Sequence, residues 1–204
     1  MLTDNAANWQ KLVDENPTYT NKYRYRHDEI KNRLHEETGE KCIYCEAKMR
    51  PVAPSNIEHI IPVSYDPSKR FVWDNLTIAC PECNRLKGAV YDEFQKFINP
   101  YSDDVEALLL HRGPMVGWQA GQADAELTVK YLRLDSGERT TLMMRKIEAI
   151  SDIDDKVERY TQHKGTPLGD VIAARIRKRT EKGEEFSAMI RSILSQAGLN
   201  ELIA

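Results

Sequence analysis

Every cysteine in this 204-residue chain belongs to one of two C-x-x-C pairs, Cys42/Cys45 and Cys80/Cys83, with 34 residues between the pairs. A C-x-x-C turn lets two thiolates reach one tetrahedral ion at about 2.3 Å each, and two such turns close a site with no open position. A closed site is structural, and it can supply on the order of 10 kcal/mol to local folding. That contribution matters here because residues 41–90 hold few large apolar groups. The alternatives are redox cysteines or two disulfides. A thioredoxin-like motif needs only one pair in a βαβ context, and a reducing compartment disfavours disulfides. Zinc held by Cys42, Cys45, Cys80 and Cys83 is the expected structural cofactor.

The compartment is itself an inference. The opening MLTDNAANWQKLVDENP lacks a basic stretch followed by an apolar one, so no signal peptide is expected, and no run reaches the length of a membrane span. A cytoplasmic protein with no membrane partner is the expectation. The net charge of −3 gives no global case for gripping nucleic acid. Residues 20–90 nonetheless carry 12 Lys and Arg against 10 Asp and Glu, a weakly basic segment on an acidic body that can meet phosphates locally.

The chain reads as α+β, with a small zinc-stapled core between helical extensions. Residues 1–40 form an N-terminal helical segment in which Tyr23, His27, Ile30 and Leu34 recur on one stripe, and Thr38-Gly39 stops it. Residues 41–100 hold the metal core. Prolines 51, 54 and 62 exclude a long helix early in it, NLTIAC at 75–80 is strand-like, and a helix is expected from about Cys83 to Gly88. Asn99-Pro100-Tyr101-Ser102 marks a boundary. Beyond it, residues 101–204 are mostly helical and suited to docking a partner, with a hairpin around Gly113-Pro114 and helices over about 123–133, 138–163 and 184–197.

Between the cysteine pairs lie Glu58-His59-Ile60-Ile61-Pro62 and Trp73-Asp74-Asn75-Leu76, and Asn84 follows the last cysteine. Phosphodiester hydrolysis needs an activated water and charge stabilisation at the phosphate. Histidine takes protons near neutral pH. A carboxylate can hold Mg²⁺, which binds few protein ligands and keeps several waters. On an extended backbone Glu58 and His59 point to opposite faces, so one can serve the ion and the other the water. Asn84 offers a neutral oxygen ligand fixed by the adjacent knuckle, and Asn75 can brace the loop through its backbone. Each alone has a plainer reading, as a solvated Glu-His pair or a turn asparagine. Their joint order beside two knuckles favours the catalytic one.

The pattern C-x-x-C…E-H-I-I-P…D-N-L…C-x-x-C-N-x-x-K-G resembles the HNH (ββα-metal) endonucleases of the zinc-stapled type over residues 42–88. The resemblance implies that His59 is the general base and that Asn75 positions its loop. It also implies that Glu58 and Asn84 hold the catalytic ion. Asn84 stands where many members have histidine, so an oxygen-only shell favours Mg²⁺ or Mn²⁺. Lys87 occupies a position where the family often has lysine, facing phosphate. The segments Cys42-Ile43-Tyr44-Cys45-Glu46 and Ile98-Asn99-Pro100 are similar to the PtuB-like nuclease subunits of Septu and retron-linked antiphage systems. That similarity implies a complex with an ABC-type ATPase subunit. DNA is the first expectation for substrate and RNA such as tRNA the second. A non-catalytic zinc module is the rival reading.

Further phosphate contacts are sought among Arg24, Arg26, Lys48, Arg50, Lys69, Arg70 and Arg85, although for any single one a solvated charge is the plainer reading. The basic run Arg175, Arg177, Lys178, Arg179 fits either nucleic acid or a partner protein.

Overall fold

The computed structural model describes residues 2–49 and 55–204; Arg50 and the prolines at 51 and 54 lie outside the described residues. The N-terminal segment is broken where the sequence suggests one stripe. Helices α1 (Leu2–Glu15), α2 (Tyr19–Lys22) and α3 (Asp28–Thr38) are separate, and a 3-10 turn at Arg24–Arg26 precedes α3. The reason is local. His27 is extended and caps α3, its Nδ1 accepting from the Glu29 amide at 3.3 Å, so Tyr23 and His27 fall outside the helix that buries Ile30 and Leu34. Gly39 ends α3 in the left-handed region, its amide closing on the Glu36 carbonyl.

Strand β1 (Asn56–His59) pairs antiparallel with β2 (Leu76–Ala79), placing Glu58 opposite Thr77 and His59 opposite Leu76. Helix α4 (Pro81–Lys87) follows at once, which completes a ββα unit. It begins two residues before Cys83. Pro81 suits the first helical position, and the Cys80 sulfur accepts from the Cys83 amide at 3.4 Å, so the second knuckle is itself the helix cap.

After α5 (Val105–Leu108), strands β3 (Leu109–Arg112) and β4 (Met115–Trp118) form the hairpin expected around Gly113-Pro114. Helices α6 (Ala123–Tyr131), α7 (Thr140–His163) and α9 (Ser187–Gln196) match the anticipated stretches, and α8 (Pro167–Thr180) was not foreseen. The basic run lies in the last turns of α8, where cations meet the negative helix end. Arg177 also donates to the Glu201 carbonyl, and Arg179 lies near Asp152 and Glu184.

One buried cluster joins Leu34, Cys42, Cys45, Ile78 and Cys83 of the metal core to Val116, Val129, Leu132, Leu142, Phe186 and Met189. The core therefore runs across the break anticipated at residues 99–102. A second cluster gathers Ile153, Tyr160, Ile172, Ile176, Ile190 and Leu194. Among the described residues no helix is long and apolar enough to cross a membrane.

Candidate active site and metal centre

The two knuckles meet because their flanking backbones pair. The Ile43 amide donates to the Ile78 carbonyl at 3.0 Å, setting the first turn against the strand that leads into Cys80. Within the first turn, Cys42 donates to Ala47, and Glu46 adopts the left-handed conformation that reverses the chain. The four sulfurs of Cys42, Cys45, Cys80 and Cys83 consequently lie within 4.8 Å of one another. Four thiolates at about 2.3 Å from one ion stand about 3.8 Å apart, and Cys45 and Cys80 are separated by 3.9 Å. A disulfide needs about 2.05 Å; these are free thiols. The donor set fits zinc.

Its surroundings divide the thiols: burial pushes Cys42 up and hydrogen bonds push Cys83 up, while hydrogen bonds pull Cys45 down. Hydrogen bonds from Cys42, Cys45 and Cys83 hold the Cys80 thiol well below its ordinary range. Arg139, which the sequence reading passed over, donates from Nη1 to Cys83 Sγ at 3.3 Å and from Nη2 to Cys80 Sγ at 3.8 Å. Burial alone would depress its guanidinium, yet the sulfurs of Cys83, Cys45 and Cys80 outweigh burial and raise it.

The Glu-His pair divides between two faces of β1. Glu58 turns inward and is buried, its Oε1 2.6 Å from Lys87 Nζ. Burial pushes its carboxyl up, and Lys87 pulls it back without cancelling the shift. Lys87 departs from the phosphate-facing expectation: it is fully buried and also donates to the His59 carbonyl at 2.9 Å. Starting α4 at Pro81 puts Lys87 four residues after Cys83 on the same inward face.

His59 emerges on the other face. Its Nε2 lies 3.0 Å from the Arg70 carbonyl, and the edge of Tyr25 packs at 4.7 Å between centroids. A carbonyl only accepts, so Nε2 carries the proton and Nδ1 keeps the lone pair. Burial, with Arg70, Lys87 and Arg26 adding positive charge, lowers the imidazole to about 4. Asn75 ties down the residues beyond. Its Oδ1 accepts from the Ile61 amide at 2.7 Å, its Nδ2 donates to the Ile61 and Lys69 carbonyls, and its own carbonyl accepts from Ile60.

Asn84 sits half-buried in the middle of α4, its backbone held by Cys80 and Gly88. Of the remaining cations, Arg70 contributes its carbonyl to His59 and its guanidinium to the Lys22 carbonyl. Lys69 lies in the same 3-10 turn, Pro67–Phe71. Arg85 is exposed but clasps Glu82 with two nitrogens. Tyr25 was not anticipated at the site. The tyrosine-arginine alternation of Tyr23-Arg24-Tyr25-Arg26 was the available signal, since Arg26 stacks on Tyr23 at 4.1 Å and borders His59.

Comparison with known proteins gives two results. The chain is 33% identical over 75 residues to the Septu protein PtuB of Bacillus thuringiensis, a stretch covering 36% of this chain and 29% of that protein. The chain thus spans less than a third of the length of the curated relative it matches. Residues 42–89, the stretch that holds both knuckles, Glu58, His59, Asn75 and Asn84, match the HNH endonuclease family.

Proposed function

We propose that this chain is a metal-dependent endonuclease that hydrolyses nucleic-acid phosphodiester bonds, DNA in the first instance, with His59 as its base. The observation that carries the reading is the state of His59. Its Nε2 is fixed to the Arg70 carbonyl and burial keeps the ring neutral at pH 7, so Nδ1 is ready to accept a proton. The positive charges of Arg70 and Arg26 near it suit a phosphate more than a neutral substrate. In the reaction, His59 Nδ1 takes a proton from water as the water oxygen attacks phosphorus. The bond to the 3′ oxygen breaks, and that oxygen takes a proton from solvent.

Glu58 and Asn84 are the residues that would hold a divalent ion, Mg²⁺ or Mn²⁺. The chemistry of the donor set fits such an ion, a carboxylate that already holds the Lys87 cation and an amide oxygen from half-buried Asn84. When bound, such an ion supplies Lewis-acid polarisation of the scissile phosphate. Asn75 holds the turn after His59 and so keeps the base aimed at the water.

The similarity to a Septu protein supports a reading of the biological setting. The chain is read as the effector nuclease of a cytoplasmic antiphage complex, controlled by an ABC-type ATPase subunit. Supercoiled plasmid and total tRNA, each offered with Mg²⁺ or Mn²⁺ and with the co-purified partner, test the reading. Nicking of plasmid that falls at least about 100-fold in His59→Ala is the expected result. Preferential tRNA cleavage would move the substrate to RNA. Cleavage unaffected by His59→Ala would overturn the assigned base.

A further inference from the structure

A zinc ion with four thiolates carries a net charge of −2, and three of the four sulfurs here belong to buried residues, Cys42, Cys45 and Cys83. Uncompensated charge in such surroundings is strongly unfavourable. Among the described residues beside the cysteines, Lys41 bonds Glu46 and Ser187, Lys48 pairs with Glu184 and Arg85 pairs with Glu82. The compensation arrives from residues far along the chain.

Arg139 is the residue that caps the start of α7. It is buried, and the hydrogen bonds of its guanidinium go to the sulfurs of Cys83 and Cys80 and to the Leu132 carbonyl. Lys146 lies two turns further along α7, also buried. Its ammonium donates to the Pro114 carbonyl at 3.2 Å; burial lowers it to about 8, with Cys45, Glu46 and Cys83 opposing that shift. Leu142 and Ala149 of the same helix pack in the cluster that contains Cys42, Cys45 and Cys83. Helix α7 thus brings two buried cations to a centre whose charge is −2.

We propose that α7 is the counter-ion of the metal centre, so that zinc occupancy and the docking of the C-terminal helices onto the catalytic core are coupled. The proposal rests on the reading of the cysteines as a zinc site. Its physical content is linkage: if the loaded centre attracts Arg139 and Lys146, then a docked α7 retains the metal to the same degree. Without the ion nothing gathers the four sulfurs, and the Arg139 guanidinium loses the pair it bonds. Loss of metal then loosens α7 in addition to the knuckles.

The test uses the full chain loaded with zinc. Wild type is compared with Arg139→Gln, Arg139→Lys, Lys146→Met and, as a charge control, Arg133→Gln, whose guanidinium pairs with Glu138 on the surface. Zinc per chain is measured by mass spectrometry, and its rate of transfer to a chromophoric chelator is followed. Hydrogen exchange of the α7 amides is recorded before and after chelation. Arg139→Gln should release zinc at least about 10-fold faster, in keeping with the loss of a partner to metal ligands. Lys146→Met should release it faster too, Arg139→Lys should fall between, and Arg133→Gln should match wild type. In wild type, chelation should raise exchange along Thr140–Ala149. Unchanged release from both Arg139→Gln and Lys146→Met would overturn the coupling. So would α7 amides that stay protected after the metal is gone, a measurement on wild type that stands even if a variant fails to fold. A wild-type chain carrying no zinc would instead remove the zinc reading itself.

Discussion

At His59 the local field makes a testable statement about pH. Its conjugate acid is lowered to about 4 by burial and by Arg70, Lys87 and Arg26. In the proposed mechanism the base form is the active one, so kcat/KM should stay level through neutral pH and fall only near pH 4. An ordinary imidazole would give a limb near 6.5. A single-turnover nicking profile decides between the two, and a limb at 6.5 would mean that the base works in a hydrated setting. Stability follows the same sign. The unfolded histidine takes its proton near 6.5 and the folded one near 4, so the unfolded state binds more protons between those values. The contribution is therefore lost as pH falls through that window. Lys87 offers a second prediction. Lys87→Met leaves Glu58 buried without its partner, which should cost about 3–5 kcal/mol in a urea titration. Adding Glu58→Gln should recover part of the loss, because a neutral amide is less costly to bury than a bare carboxylate. The cysteines, Glu58-His59 and Asn75 were legible because their types and order carry the chemistry. The burial of Lys87 was not, since it depends on the phase of a seven-residue helix whose start was placed two residues late. Tyr25 escaped for another reason: no spacing rule brings a residue of the N-terminal segment onto a strand more than thirty positions later.

Among the elements, α3 shows how a short signal can be right about a boundary and silent about its neighbour. Thr38-Gly39 was read as a stop, and Gly39 does end the helix with φ of 61°. What the sequence does not show is that the next chain to pass this point is the turn between α8 and α9. A Cβ on Gly39 would lie 2.9 Å from the Cα of Gly183. Gly39→Ala should therefore cost more than the roughly 1–2 kcal/mol of forcing an alanine into left-handed backbone. Gly113→Ala, at a φ of 58° with open space around it, should cost only that. The difference between their urea midpoints isolates the steric part, and equal midpoints would show that the contact yields freely. Helix α8 was missed because its sequence, PLGDVIAARIRKRT, carries an early glycine and ends in a dense basic run that drew attention as a surface feature. Its buried Ile172, Ala173 and Ile176 are spaced by one, three and four, a narrow stripe that becomes clear only once α7 and α9 are seen packing on it.

Across the whole molecule the functional segment and the folding unit do not coincide. The family match closes at residue 89, and the boundary anticipated at residues 99–102 treated the rest as an appendage. The side chains that surround the cysteines contradict that economy of parts. Leu132, Leu142, Phe186 and Met189 share their cluster, Arg139 bonds two of their sulfurs, and Glu185 caps the Lys48 amide at 2.8 Å while pairing with Arg145. Arg145 in turn donates to the Lys48 carbonyl at 2.9 Å. Cutting the chain after Pro100 would expose the buried face of the first knuckle and strip the metal centre of both α7 cations. Each fully buried leucine, phenylalanine or methionine contributes about 1.5–3 kcal/mol, so losing these four is comparable to the whole stability of a typical domain, about 5–15 kcal/mol. Zinc can offset part of this, on the order of 10 kcal/mol. The expected outcome for residues 1–100 is a fragment that binds zinc weakly and lacks a cooperative thermal transition. A fragment that melts sharply with one zinc bound would show instead that the nuclease core stands alone. The C-terminal helices would then be dispensable for the fold that holds the metal.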